Sequence, residues 1–318
     1  MTASVLVTRR LPAGVNGELD PSWKVWEGEG PMPRAALLEA VADVDGLLCM
    51  LVDRVDSELL TAAAGLAVVS QMSVGVDNID LEAATAAGVP VGHTPGVLTE
   101  TTADTAFALL AAATRRLPEG QADLRRGAVG EWDPDYLLGG DLWETTLGIV
   151  GFGRIGSAVA RRAAGFGMRV LYSSRRKKEE ALGAEWCSFD DLLAGSDHVL
   201  LAAPLTDETR HIINASSLAT LRDGATLVNI ARGGLVDHEA LAAEAASGRI
   251  RVALDVTEPE PLPPEHPLLK LPNVLVVPHL GSASVRTRAA MARMAISNLE
   301  AGLSGRRLPA CANPEVYG

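Results

Sequence analysis

Leu147 to Gly156 reads Leu-Gly-Ile-Val-Gly-Phe-Gly-Arg-Ile-Gly, an apolar strand running straight into a Gly-x-Gly-x-x-Gly turn, and Ala158 to Phe166 continues as a helix. In a strand-turn-helix unit of this kind Gly151 makes the tight turn, Gly153 lets backbone approach a pyrophosphate, and Gly156 lets helix and strand pack closely. Arg154 and Ile155 lie within the turn, and the phosphates are expected on the helix N-terminus, whose unpaired N–H groups and positive dipole end favour anions. The glycine spacing alone says little in a chain with 31 glycines, where a merely tight turn is the alternative. The flanking strand and helix favour dinucleotide binding.

A chain of 318 residues exceeds what one core usually serves, so two domains are expected. The apolar and charged contents, 47% and 21%, are those of an ordinary globular protein. A net charge of −12 argues against a nucleic-acid partner held through phosphates. Cys49, Cys187 and Cys311 lie far apart without Cys-x-x-Cys spacing, which suggests neither a disulfide framework nor a metal site. The N-terminus runs into a strand-like stretch without a cleavable apolar segment, and Ala106 to Ala113 falls far short of the ~20 residues a membrane span needs. The expectation is a cytoplasmic protein with no membrane contact.

Before the glycine turn, strand-length apolar runs recur at Val5 to Val7, Leu47 to Leu51, Leu66 to Val69 and Val89 to Val91, separated by helical patterns such as Arg34 to Val44 and Asp80 to Ala87. Strands alternating with helices imply a parallel sheet covered on both faces. Thr99 to Arg116 is a long alanine-rich helical pattern with a cationic end, stopped by Pro118 and carrying the chain between domains. Gly127 to Gly140, with Trp132, reads as an irregular surface segment. From Leu147 onward strands are expected at Leu147 to Val150, Arg169 to Ser173, His198 to Ala202, Thr226 to Ile230, Arg251 to Asp255 and Val274 to Val277, the complement of a doubly wound sheet. Ala283 to Leu303 is helical with no strand after it. The fold class is therefore α/β with two doubly wound parallel-sheet domains. The simplest architecture closes the second domain near Gly281 and returns the last helix to the first, a discontinuity that patterning alone does not prove. Residues 1–98 and 284–318 are expected as a flavodoxin-like substrate-binding domain, with the Rossmann dinucleotide-binding domain, residues 99–283, inserted in it.

About twenty residues after the glycines, where a site selective for NAD places an acid on the ribose hydroxyls, stand Ser173, Ser174, Arg175, Arg176, Lys177 and Lys178. With the acid missing, hydroxyls and cations suit a 2′-phosphate. The other reading is a solvated basic loop. NADPH is the cofactor expected, with NADH possible.

Ligands of parallel sheets bind outside the carboxyl ends of strands, so polar residues that follow apolar runs are the candidates for chemistry. Asn229-Ile230-Ala231-Arg232-Gly233-Gly234 leaves Arg232 on a glycine-loosened turn, Asp255 to Pro261 presents Asp255, Glu258 and Glu260, and Pro278-His279-Leu280-Gly281-Ser282 leaves His279 at a strand tip. Singly these read as a surface arginine, a solvated acidic turn and an ordinary histidine. Together, beyond a dinucleotide motif, they are what reversible ketone reduction needs. The cation polarises the carbonyl, the imidazole gives a proton to the developing alkoxide, and a carboxylate holds the imidazole in its protonated form. His93, His198, His211, His238 and His266 are satisfied by structural readings.

Taken with their order, Gly-Phe-Gly-Arg-Ile-Gly, Asn-Ile-Ala-Arg-Gly-Gly, Leu-Asp-Val with Glu-Pro-Glu-Pro, and Pro-His-Leu-Gly-Ser resemble the D-isomer-specific 2-hydroxyacid dehydrogenases over almost the whole chain. The resemblance implies a catalytic set of Arg232, Glu260 and His279, Glu260 rather than Glu258 holding the family's position before Pro261. It implies that Asp255 meets the nicotinamide carboxamide, and that Thr102, Ala203, Pro204, Ile230, Ala231, Arg232, His279 and Gly281 join the glycine turn and the basic loop around the cofactor. The substrate carboxylate would rest on backbone amides of Ser73-Val74-Gly75-Val76-Asp77, chiefly at Val74 and Gly75, beside Arg232, His279 and Ser282.

Met72 to Gly75, Thr94 to Thr99, Arg115 to Pro118 and Glu260 to Pro263 with His266 to Leu269 resemble the glyoxylate/hydroxypyruvate reductase branch. That branch implies NADPH, a small 2-oxo acid as substrate, and a homodimer in which Trp132 reaches the partner's active site. The alternatives are a D-lactate or D-3-phosphoglycerate type of dehydrogenase and, from a different class, a cofactor-sensing corepressor-like interaction protein. A phosphorylated substrate would want an extra basic cluster near the amide turn, and Ser73 to Asp80 offers none.

Overall fold

The computed structural model describes residues 3–318. The chain divides into two compact units. One comprises the described residues up to Leu98 together with Ala283–Gly318, and the other is Thr99–Ser282. Ala283, expected in the second unit, joins the first. The helix that starts beyond it is capped by Ser284, whose side chain accepts from the Thr287 N–H, so the chain has already committed to that helix.

The first unit runs β1 (Val5–Val7), α1 (Ala13–Asn16), β2 (Lys24–Val25), α2 (Arg34–Ala40), β3 (Gly46–Cys49), α3 (Ser57–Ala62), β4 (Val68–Gln71), α4 (Leu81–Ala86) and β5 (Val91–Gly92). Its parallel five-stranded sheet has the order β2-β1-β3-β4-β5, the flavodoxin-like winding. Leu37, Leu47, Leu59 and Val69 are buried in the core on one face. The Asp56 and Asp80 carboxylates cap α3 and α4, accepting from the Leu59 and Ala83 N–H groups.

The second unit opens with α5 (Thr99–Thr114) and α6 (Leu117–Arg125). Arg116 stands between them at φ 55, and Pro118 lies in the first turn of α6. The proline thus starts a second helix where a stop was expected, because the first helical turn does not need its missing N–H. There follow β6 (Thr146–Val150), α7 (Arg154–Ala164), β7 (Arg169–Ser173), β8 (Glu185–Trp186), α8 (Phe189–Gly195), β9 (His198–Leu201), α9 (Ala215–Thr220), β10 (Thr226–Asn229), α10 (His238–Ala246), β11 (Arg251–Leu254) and β12 (Val274–Val276). The final helix, α11 (Val285–Leu303), belongs to the first unit.

The sheet is seven-stranded and parallel, ordered β12-β11-β10-β9-β6-β7-β8. Its direction of winding reverses between β6 and β9, the place where such sheets bind ligands. Successive side chains alternate between faces. Leu147, Ile149, Leu200 and Val228 pack with Phe107 and Leu110 of α5 and Val159 of α7. Val150, Leu201 and Leu227 pack on the other face with Leu192, Leu218 and Leu241 of α8, α9 and α10. The sheet therefore has a helical layer on each face, and its loops gather at the carboxyl ends of the strands.

Candidate active site

In the glycine turn between β6 and α7 the three glycines have different surroundings. Gly151 has φ +93, a conformation that a side chain disfavours. A Cβ on Gly156 would run into the Gly151 carbonyl, which is where strand and helix meet most closely. A Cβ on Gly153 would meet no heavy atom within 4 Å, so the backbone there faces open space. That space belongs to a cavity of about 770 Å³ lined by Gly151, Phe152 and Gly153, by Ser173 to Arg176 with Lys178, and by Ala203 and Pro204 after β9. A groove this size beside a helix N-terminus fits the adenosine and phosphate half of a dinucleotide. Phe189, Thr206, Thr209 and Ile212 complete its walls and were not singled out from the sequence.

At the end of β10 the buried Asn229 folds the following turn onto itself. Its Oδ1 accepts from the Ala231 N–H at 3.1 Å and its Nδ2 donates to the Arg232 carbonyl at 2.8 Å. Arg232, half-buried, donates from Nη1 to the Ala231 carbonyl at 2.7 Å. Gly233 then packs against the backbone at Thr257 and Glu258, closer than any Cβ would allow. The arginine turn and the acidic turn are thus in direct contact because position 233 lacks a side chain.

The three carboxylates beyond β11 have separate partners. Glu258 pairs with Arg210, Oε2 to Nη1 at 3.0 Å. Asp255, 2% exposed, accepts from the Leu280 N–H at 2.6 Å on Oδ1 and from the Gly281 N–H at 2.9 Å on Oδ2. Burial raises its pKa above the ordinary aspartate value, while the two amides and His279 act in the opposite direction. Glu260 is left for His279, Oε1 to Nδ1 at 2.6 Å.

His279 itself is held at φ 53, with its N–H shared between the carbonyls of Asp255 and Val277 at 2.9 and 3.0 Å. A left-handed residue that is not glycine persists only where its surroundings fix it. Here Asp255 supplies that fixing with its carbonyl and both carboxylate oxygens. Of the two ring nitrogens, Nδ1 is engaged by Glu260, so proton exchange with a ligand falls to Nε2.

Thr102 and Gly281 stand together beside Asp255, and Thr105 Oγ1 donates to the Gly281 carbonyl at 3.3 Å. Ile230 is buried in the core, Ser282 is 8% exposed, and Trp132 is 88% exposed on the segment after α6. Arg154, Ile155 and Gly156 form the first turn of α7.

Val74 and Gly75 belong to the first unit, in the turn after β4. Gln71 Nε2 donates to the Gly75 carbonyl at 2.6 Å, and His93 Nδ1 lies 3.0 Å from the Val74 carbonyl. In a planar trans peptide the N–H points opposite the carbonyl. The two anchored carbonyls therefore turn the N–H groups of Gly75 and Val76 away from the strand ends. Gln71 is in turn oriented by Asn78, whose Nδ2 donates to its Oε1 at 2.7 Å. No sequence signal points to these roles of Gln71 and His93, since their contacts join the ends of neighbouring strands.

A switch-point cavity over a glycine turn, with an arginine, a carboxylate-held histidine and a buried aspartate on successive strand ends, defines a nicotinamide-dependent oxidoreductase. Residues 107–281 match the model of the D-isomer specific 2-hydroxyacid dehydrogenase NAD binding domain. A glyoxylate reductase of Korarchaeum cryptofilum is 47% identical over 99% of this chain and 97% of its own length. A crystal structure of a Thermus thermophilus protein superposes with a TM-score of 0.91 at 48% identity, covering 97% of this chain and 99% of that one. The NADPH-dependent glyoxylate/hydroxypyruvate reductase of Sinorhizobium meliloti, crystallised with NADP and malonate, superposes with a TM-score of 0.86 at 32% identity over 99% and 98% of the two chains. The chain belongs to the D-isomer-specific 2-hydroxyacid dehydrogenase family.

Proposed function

We propose that the protein reduces small 2-oxo acids with NADPH, glyoxylate to glycolate and hydroxypyruvate to D-glycerate. The observation that carries this reading is the 2.6 Å contact between Glu260 and His279, on loops next to the Arg232 turn. The substrates named for the Korarchaeum and Sinorhizobium relatives support the choice of acid. Ser174, Arg175 and Arg176 on the cavity wall, where an NAD-selective site has an acid, support NADPH.

When bound, the reduced nicotinamide supplies the hydride. Arg232 polarises the substrate carbonyl and pairs with its carboxylate. His279 delivers a proton from Nε2 to the developing alkoxide, and Glu260 on Nδ1 orients the ring and stabilises its charged form. Asp255 keeps the His279 turn in place and is assigned the carboxamide contact. Val74 and Gly75 are assigned the substrate carboxylate, and Ser282 a supporting contact.

The same reading makes the protein a homodimer. Leu124, Trp132, Leu138 and Trp143 are each more than 60% exposed on one stretch of the second unit, apolar exposure that supports an association surface there. Three free cysteines agree with work in the cytoplasm.

The direct test is product analysis with the purified protein. Conversion of hydroxypyruvate to D-glycerate, lost in Arg232→Ala, agrees with the proposal; formation of L-glycerate, or unchanged kinetics in that variant, contradicts it. Light scattering after size exclusion tests the dimer, which a Trp132→Ala and Leu138→Ala pair should weaken.

A further inference from the structure

The loop after β7 carries four cations in succession, and the backbone sorts them. Arg175, Arg176 and Lys178 line the cavity beside the glycine turn, whereas Lys177 is not part of its wall. Glu208 is the one carboxylate in that wall among the described residues, so the lining is net positive in a chain whose net charge is −12. A basic surface this local, on an acidic protein, points to an anionic ligand group rather than to a generally basic face.

Three hydrogen bonds hold the loop in this arrangement. Ser174 Oγ donates to the Arg176 carbonyl at 2.7 Å. Trp186 Nε1, on the edge strand β8, donates to the Ser174 carbonyl at 3.2 Å. The Lys178 N–H donates to the phenol oxygen of Tyr172 at 2.9 Å. Tyr172 is fully buried and stacks on Phe152, with ring centroids 4.2 Å apart. Phe152 is part of the glycine turn. A buried phenol thus links the backbone of Lys178 to the turn that faces the pyrophosphate, and sets the spacing between two anion-binding points in a way that a free surface loop does not.

We propose that Lys178 is a specificity-determining cation for the 2′-phosphate of the adenosine ribose, that Tyr172 is its positioning residue, and that Lys177 has no part in it. The proposal rests on the NADPH reading above and deepens it. An ammonium within reach of a phosphate makes charge-assisted hydrogen bonds. NADH, which lacks the phosphate, gains nothing from it.

The test is calorimetric titration of the whole protein with NADPH, NADH and 2′,5′-ADP. Lys178→Gln should weaken NADPH and 2′,5′-ADP about tenfold and leave NADH unchanged, as expected for one lost hydrogen bond to a charged group. Lys177→Gln should leave all three unchanged. Tyr172→Phe keeps the ring stack and should narrow the NADPH-over-NADH preference about threefold while NADH binding holds. If Tyr172→Phe does not fold, Lys178→Gln decides alone. A wild-type protein that prefers NADPH, with Lys178→Gln indistinguishable from Lys177→Gln, overturns the role of Lys178 only. A wild-type protein that binds NADH as tightly as NADPH overturns the cofactor reading, and this inference with it.

Discussion

Glu260 Oε1 lies 2.6 Å from His279 Nδ1, whereas Glu258, in the same acidic turn, pairs with Arg210 at 3.0 Å. The two glutamates have the same side chain and both precede a proline, so their difference is one of partner alone. Glu260→Gln keeps a hydrogen bond to the ring but removes the charge that favours the imidazolium. With glyoxylate it should lower kcat about a hundredfold, and His279→Ala should lower it further, within the range for loss of a general acid. Glu258→Gln should leave kcat within about threefold, and NADPH affinity should be nearly unchanged in all three variants. Equal loss in the two glutamine variants would remove the distinction.

Gly153 and Gly156 should fail in different ways when replaced by alanine. At 156 the added methyl runs into the Gly151 carbonyl, so the variant should unfold more easily by about 1–3 kcal/mol, an overpacking effect. At 153 the methyl meets open space within the protein and should leave the melting temperature in place while weakening NADPH binding. Denaturation curves and cofactor titrations separate the two.

His93 holds the Val74 carbonyl and so aims the Gly75 amide assigned to the substrate, while Gln71 holds the Gly75 carbonyl of the same turn. His93→Phe should raise KM for glyoxylate about tenfold with little change in kcat or in NADPH affinity, the size expected for a misdirected hydrogen bond to a charged group. His93→Asn, which retains an amide donor, should recover part of the loss. A fall in kcat with KM unchanged contradicts the assignment.

His198 and His238 contribute to the pH dependence of stability. Burial lowers the pKa of each below the ordinary histidine value of 6.5. His198 Nδ1 and His238 Nε2 are buried without a hydrogen-bond partner among the described residues, so neither site welcomes a second proton. The unfolded chain therefore binds more protons than the folded one below about pH 6.5. The stabilising contribution is complete above that pH and is lost as the pH falls from there toward the folded-state pKa values. Melting temperature should fall between about pH 7 and pH 5, and should fall less in a His198→Asn, His238→Asn variant. A flat profile in the parent protein contradicts this role for the two histidines.

Much of the architecture is legible because it is local. β6, the glycine turn and α7 are contiguous, and the tight turn at Gly151 and the close packing at Gly156 follow from spacing. The strands of both sheets show as apolar runs because parallel strands are buried on both faces. Two of the three two-residue edge strands are not legible: Lys24–Val25 and Glu185–Trp186 have no apolar alternation and exist only because a neighbouring strand offers its edge. The restart of helix at Leu117 hides behind Pro118, which reads as a stop and serves as a first-turn residue. At the site, the strand ends announce Arg232, Asp255 and His279. The partners that give them different tasks come from elsewhere: Arg210 takes Glu258, and the Leu280 and Gly281 amides take Asp255. Such pairings across strand ends leave no periodic trace in the chain.

Reduction of a small 2-oxo acid by NADPH on this fold is tested most directly by kcat/KM for NADPH and for NADH, each with saturating glyoxylate. Rapid turnover with a clear preference for NADPH, falling as salt screens the basic loop, is the expected result. Equal efficiency with NADH, or no turnover of glyoxylate with either cofactor, would contradict it.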